Sequence, residues 1–148
     1  MASLARPLAV VTGASSGIGA DLARELAKDG YDLVLVARRA APMQALADEI
    51  KVNGASAIVL ACDLSKAGAA QTLVGEIEAQ GLAIDVLVNA AGLGGSGRFD
   101  QSDPVRLAEM LQVNVVALTE LTRLLLPGMV RRGRGKILLV ASTAAFQP

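Results

Sequence analysis

Leu8-Ala9-Val10-Val11-Thr12-Gly13-Ala14-Ser15-Ser16-Gly17-Ile18-Gly19 is the stretch on which the fold turns. Its first five residues form an apolar run without polar alternation, the pattern of a strand covered on both faces. Gly13, Gly17 and Gly19 then allow a tight turn and close backbone approach to an anion. The helix that follows, Gly17 to about Asp29, offers free N–H groups and the positive end of its dipole at the same place. Ser15 and Ser16 add hydroxyl donors and candidate caps. Ile18, Leu22 and Leu26 recur every four residues on one helix face, and Gly30 marks the stop.

The same alternation continues along the chain. Asp32 to Ala37 reads as a second strand, followed by a helix with Pro42 in its first turn and Met43, Leu46 and Ile50 as its stripe. Ala57 to Ala61 is a third strand, and a helix from about Ala67 to Gln80 carries Leu73 and Ile77. Asp85 to Val88 is a fourth strand, succeeded by a loop with Gly92, Gly94, Gly95 and Gly97. Asp103-Pro104 opens a long helix to about Met129, and Lys136 to Val140 is a fifth strand. Repeated βα units with right-handed crossovers predict an α/β fold: a doubly wound parallel sheet, Rossmann-like, in three α/β/α layers with about five strands. A single dinucleotide-binding domain over residues 1–148 is expected.

Composition narrows the function. With 14 Lys+Arg against 14 Asp+Glu the net charge is zero, which argues against general nucleic-acid binding. Hydrophobic residues at 53% and charged ones at 19% exclude disorder. The chain has no His, so neither a Ser-His-Asp triad nor a His metal site can be built from it, and no metal is expected. Cys62 is the one cysteine, so no internal disulfide forms and a reducing, cytoplasmic setting is expected. Met1 to Pro7 lacks the apolar stretch of a secretory signal, and no apolar run approaches the ~20 residues of a membrane span. The basic run Arg131-Arg132-Gly133-Arg134-Gly135-Lys136 stands without a second basic element or aromatic partner and reads as a solvated loop before the fifth strand.

An acidic residue about 20 positions beyond the glycine turn usually holds the ribose hydroxyls of NAD. Here the second strand ends in Val36-Ala37-Arg38-Arg39, with two guanidinium groups and no carboxylate. Paired charge-assisted hydrogen bonds make arginine suited to a ribose phosphate, although exposed charge can also be simple loop solvation. Gly13-Ala14-Ser15-Ser16-Gly17 also matches the G-x-S-x-G nucleophile elbow of hydrolases, but the chain has no His to serve as base.

Thr-Gly-x-x-x-Gly-x-Gly at this position resembles the short-chain dehydrogenases/reductases. Four further landmarks recur in that family's order: Asp63-Leu64 after the third strand, Asn89-Ala90-Ala91-Gly92 after the fourth, Asn114 in the long helix, and Ser142 ending the fifth. The resemblance covers nearly all 148 residues. It implies a cofactor site at Gly13, Ser15, Ser16, Gly17, Ile18 and Gly19. Arg38, with Arg39 in support, would select NADP(H) over NAD(H). Asp63 would accept from the adenine amino group, or else cap the helix beyond Ser65. Asn89, Ala90 and Gly92 would lie against the cofactor, with Asn89 also able to act as a turn residue. Asn114 would be a buried proton-relay residue, or a structural amide bridging to neighbouring backbone. Ser142 would hydrogen-bond the reacting oxygen.

The family's acid/base tyrosine, with a lysine four residues later, has no match. Tyr31 precedes the second strand, whose ends lie ~20 Å apart, and Leu35 stands where the lysine would be needed. The chain therefore reads as the cofactor-binding portion of a longer reductase, inactive by itself. A non-catalytic NADP(H)-binding or sensing module is the alternative, with a hydrolase more remote. A small-molecule carbonyl or alcohol is the expected partner, with no nucleic acid or membrane. Bare apolar surface on the fifth strand and the Leu118–Leu126 helix face would favour a homo-oligomer.

Overall fold

The strands β1 (Leu8–Thr12), β2 (Asp32–Ala37), β3 (Ala57–Ala61), β4 (Ile84–Asn89) and β5 (Lys136–Leu139) occupy the apolar runs in a computed structural model that describes residues 6–146. Residues 1–5 of the stretch read for a secretory signal, and Gln147 and Pro148, lie outside them. The helices are α1 (Gly17–Lys28), α2 (Ala40–Val52), α3 (Ala69–Ala79), α4 (Pro104–Leu111) and α5 (Leu118–Arg131). Six residues of π-helix, Gln112–Ala117, join α4 to α5.

All strand pairings are parallel, in the order β3-β2-β1-β4-β5. The chain thus builds outward from β1 through β2 to β3, then returns to add β4 on β1's other side. The fold is Rossmann-like α/β. In such sheets ligands bind beyond the carboxyl ends of the strands where the order reverses, here between β1 and β4. The register brings those ends level, since Thr12 pairs with Val36 on one side and Asn89 on the other.

Alternation sends each strand's side chains into two cores. Ala9, Val11, Leu33, Leu35 and Val88 meet α1 and α2 on one face. Val10, Val34, Val36 and Leu87 meet α3 and α5 on the other. Each fully buried Leu or Val contributes about 1.5–3 kcal/mol, so the centre of the sheet is the most strongly held part.

Several boundaries differ from the sequence reading for identifiable reasons. The buried face of α1 consists of Gly19, Ala20, Ala23 and Ala27, which admit the helix close to the sheet, while Ile18 is 62% exposed. Helix α3 starts at Ala69, not Ala67, because Asp63 to Lys66 form a turn and Gly68 takes φ +80°. Strand β4 extends through Asn89, which is therefore inside the strand. Strand β5 stops at Leu139, so Ser142 lies beyond its end. The basic run is more than a solvated loop. Arg134 Nε donates to Asp85 Oδ1 at 3.1 Å and Arg132 donates to the Ile84 carbonyl, tying the approach to β5 onto the start of β4. The continuous helix Pro104–Arg132 is, contrary to expectation, long and apolar enough by length and composition to cross a membrane. Its Leu121, Leu125 and Met129 are nevertheless core residues against the sheet.

Candidate functional site

Thr12 begins the site, as a buried hydroxyl at the end of a buried strand. Its Oγ1 donates to the Val88 carbonyl at 3.3 Å and accepts from the Ala90 and Ala91 N–H groups at 3.1 and 3.0 Å. One side chain thereby fixes the segment leaving β4 beside the segment leaving β1. Gly13 follows with φ +71°, and a Cβ there would lie 2.7 Å from the Ala90 carbonyl oxygen. A Cβ on Gly19 would strike the Gly13 carbonyl oxygen. Both glycines are thus required by packing as well as by turn geometry.

The next turn is open to a ligand. Gly17 has φ +57°, and nothing lies within 4 Å of a Cβ built there. Ser16, the N-cap of α1, makes no side-chain cap bond, and the first turn of α1 carries no acidic residue. The N–H groups of this helix end and the two serine hydroxyls form a donor set suited to a phosphate, with no carboxylate in that turn to compete.

A cleft of about 360 Å³ lies over this edge. Gly13, Ser15 and Ser16 form one wall, Arg38 and Arg39 a second, Asp63 and Leu64 a third, and Ala90 to Leu93 the side toward β4. Arg38 and Arg39 are exposed, and among the described residues neither forms an ion pair. Asp63 does not cap α3. Its Oδ1 accepts from Ser65 N–H at 3.1 Å and Ser65 O–H at 2.7 Å. Partial burial pushes its carboxyl upward, but these Ser65 bonds and the nearby Lys66 and Arg38 charges outweigh that and hold it below the ordinary value. Cys62 is half-buried and lines the cleft. Burial, reinforced by Glu76 and Asp63, raises its thiol pKa.

Not every expected residue reaches the cleft. Gly17 and Ile18 stand exposed at the helix start, and Gly19 is buried behind the turn. Asn89 is turned away. Its Nδ2 donates to Thr122 Oγ1 on α5 at 3.2 Å, and its carbonyl accepts from Val140 N–H at 3.0 Å, so it braces the sheet against α5. Asn114 was expected to be buried but is exposed within the π-helical segment. Its amide bridges to backbone: Nδ2 donates to the Leu93 carbonyl and Oδ1 accepts from the Leu93 N–H, both at 2.8 Å. Gly92 fits beside it, since an added Cβ would be 3.6 Å from Asn114 Oδ1. Ser142 is exposed, with its Oγ accepting from the Ala144 N–H at 3.1 Å, which leaves the hydroxyl proton free to donate. Thr12 and Thr122 are the residues that sequence reasoning missed. Thr12 carried a usable signal, as a hydroxyl closing an otherwise apolar buried strand.

A parallel doubly wound sheet with a glycine turn, an open helix N-terminus and paired arginines across one cleft has the arrangement of a Rossmann-like nucleotide-binding domain. A sequence model described as short chain dehydrogenase matches residues 7–148, and the chain belongs to that family. It is 39% identical over 142 residues to a short chain dehydrogenase of Pseudocercospora fijiensis, covering 95% of this chain and 46% of that protein. It is 34% identical over 142 residues to the NADP-dependent 3-hydroxy acid dehydrogenase YdfG of Salmonella typhi, covering 95% and 56%. Among solved structures it resembles a short-chain dehydrogenase from Sphingobium yanoikuyae in complex with NADPH. There the identity is 36%, the TM-score 0.88, and the coverage 96% of this chain and 56% of that one. The chain spans about half the length of the curated relatives it matches.

Proposed function

We propose that this chain binds NADP(H) in preference to NAD(H) and serves hydride transfer between the nicotinamide and a carbonyl/alcohol substrate. The observation that carries the reading is the cleft, where the α1 N-terminus and its serines face two exposed arginines across the switch point of the sheet. The turn at Gly13 to Gly19 would hold the pyrophosphate, with Gly17 and Ile18 contributing backbone at the helix start and Gly19 securing the turn from behind. Arg38 is the main contact for the additional ribose phosphate, and Arg39 supports it. Asp63 and Leu64 border the adenine end, while Ala90 and Gly92, carrying little bulk, permit close approach on the other side. Bound there, the dinucleotide would supply or accept the hydride. Ser142 donates its free O–H to the reacting oxygen, and Asn114 keeps Leu93 and the adjoining loop in place.

Naming of one relative as NADP-dependent and the presence of NADPH in a structural neighbour support the cofactor assignment. The reading places it in a reducing, cytoplasmic setting.

Fluorescence titration with NADPH and NADH tests the proposal. NADPH is expected to bind at least about tenfold more tightly, an advantage of roughly 1.4 kcal/mol. Equal affinities would refute the cofactor assignment.

A further inference from the structure

The turn after β3 is tied down along its length. Cys62 N–H donates to the Ala37 carbonyl at 2.9 Å, extending the β2–β3 ladder beyond the Ala37–Ala61 pair. Leu64 is buried in the α3–α5 core, and Lys66 N–H closes the turn on the Asp63 carbonyl at 3.1 Å. The backbone at Asp63 is thereby fixed beside the end of β2, where Arg38 follows Ala37, and both Asp63 and Arg38 line the nucleotide cleft.

Within this turn Ser65 directs both of its donors to one atom. Its N–H and O–H reach Asp63 Oδ1 at 3.1 and 2.7 Å, whereas Asp63 Oδ2 accepts no hydrogen bond among the described residues. Two donors on one carboxylate oxygen leave the other as the acceptor available to a ligand. Partial burial works against ionisation of this group, but the Ser65 bonds and the Lys66 and Arg38 charges prevail. Asp63 therefore lines the cleft as an anion that can accept and cannot donate.

We infer that Ser65 is a positioning residue for base recognition: by holding Asp63 Oδ1 it presents Oδ2 to the exocyclic amino group of adenine, and so makes the site select a 6-amino over a 6-oxo purine. The inference rests on reading the cleft as the NADP(H) site, and concerns the base where Arg38 concerns the phosphate. A 6-oxo group would set its lone pairs against the carboxylate, and neither could donate at that position.

The test is fluorescence titration of the full chain with NADPH and with reduced nicotinamide hypoxanthine dinucleotide phosphate, in which a 6-oxo group replaces the amino group. The unaltered chain is expected to prefer NADPH at least about tenfold. Ser65→Ala should weaken NADPH about fivefold and leave the hypoxanthine analogue within about twofold, while Ser65→Thr, which keeps the hydroxyl, should restore NADPH binding. Asp63→Asn gives the sharper readout. The two Ser65 donors require the amide oxygen at the Oδ1 position, which turns the Nδ2 donor to the base and should reverse the preference toward the analogue. Combining Ser65→Ala with Asp63→Asn frees the amide to turn and should abolish the reversal. A purely structural Ser65 would weaken both nucleotides alike and leave the Asp63→Asn preference unaffected by its removal. That result, equal affinity of the unaltered chain for the two nucleotides, or NADPH binding unchanged in Ser65→Ala would overturn the inference and spare the cofactor reading. No NADPH binding by the unaltered chain would overturn the cofactor reading, and the inference with it.

Discussion

Strands β3 and β5 are the two edges of one sheet, and they are treated differently. In β3, Ala57 and Val59 pack with the α1–α2 core and Leu60 with the α3–α5 core, so the strand is half-buried on both faces. In β5 only Ile137 is comparably covered, while Leu138 and Leu139 are 43% and 52% exposed. Leu138 pairs with Val88 and so points to the face of α1 and α2, but among the described residues the core on that face reaches β4 and leaves Leu138 at the edge exposed. The β3 side of the sheet is thus covered on both faces, whereas the β5 side, toward Ser142, has a sheet edge without a cover among the described residues.

Substitutions at glycines break the comparison most strongly. Gly13→Val combines a positive φ with a contact on the Ala90 carbonyl and is expected to cost about 3 kcal/mol or more in urea unfolding. Gly95→Ala, with open space around it, should stay within about 0.5 kcal/mol. Next in size, Arg38→Asp should weaken NADPH binding by at least roughly 30-fold and NADH binding far less. Asn114→Leu removes both bonds to Leu93 and should cost about 1 kcal/mol, with faster amide exchange at Leu93 and NADPH affinity little changed. On the β5 side, Leu139→Lys should leave nucleotide binding intact while weakening concentration-dependent self-association in sedimentation. The smallest effect concerns Cys62. Its raised pKa favours the neutral thiol, so the pH at which alkylation accelerates should lie above that of a free cysteine, and bound NADP(H) should slow the reaction further.

How much of this was legible in the sequence depends on which contacts decide each feature. Apolar runs with local turn chemistry predict all five strands, because strands of a doubly wound parallel sheet carry near-continuous apolar runs. The Gly13–Gly19 turn was legible for the same reason, since its conformation is local. The orientation of Asn89 was not, because it depends on Thr122, 33 residues away on α5. Asn114 looked buried on its apolar helix, yet the π-helical segment rotates it toward Leu93 and into solvent. Similarly, Ile18 fits the helical stripe by spacing, but the sheet selects the alanine face because small residues permit closer approach.

Amide NMR of the labelled polypeptide on addition of NADP⁺ addresses the central claim directly. Shifts should concentrate in Gly13 to Gly19 and at Arg38 and Arg39, with those at Arg38 and Arg39 much reduced when NAD⁺ replaces NADP⁺. Shifts confined to β5 and the segment around Ser142, or an identical response to the two cofactors at Arg38 and Arg39, would contradict it.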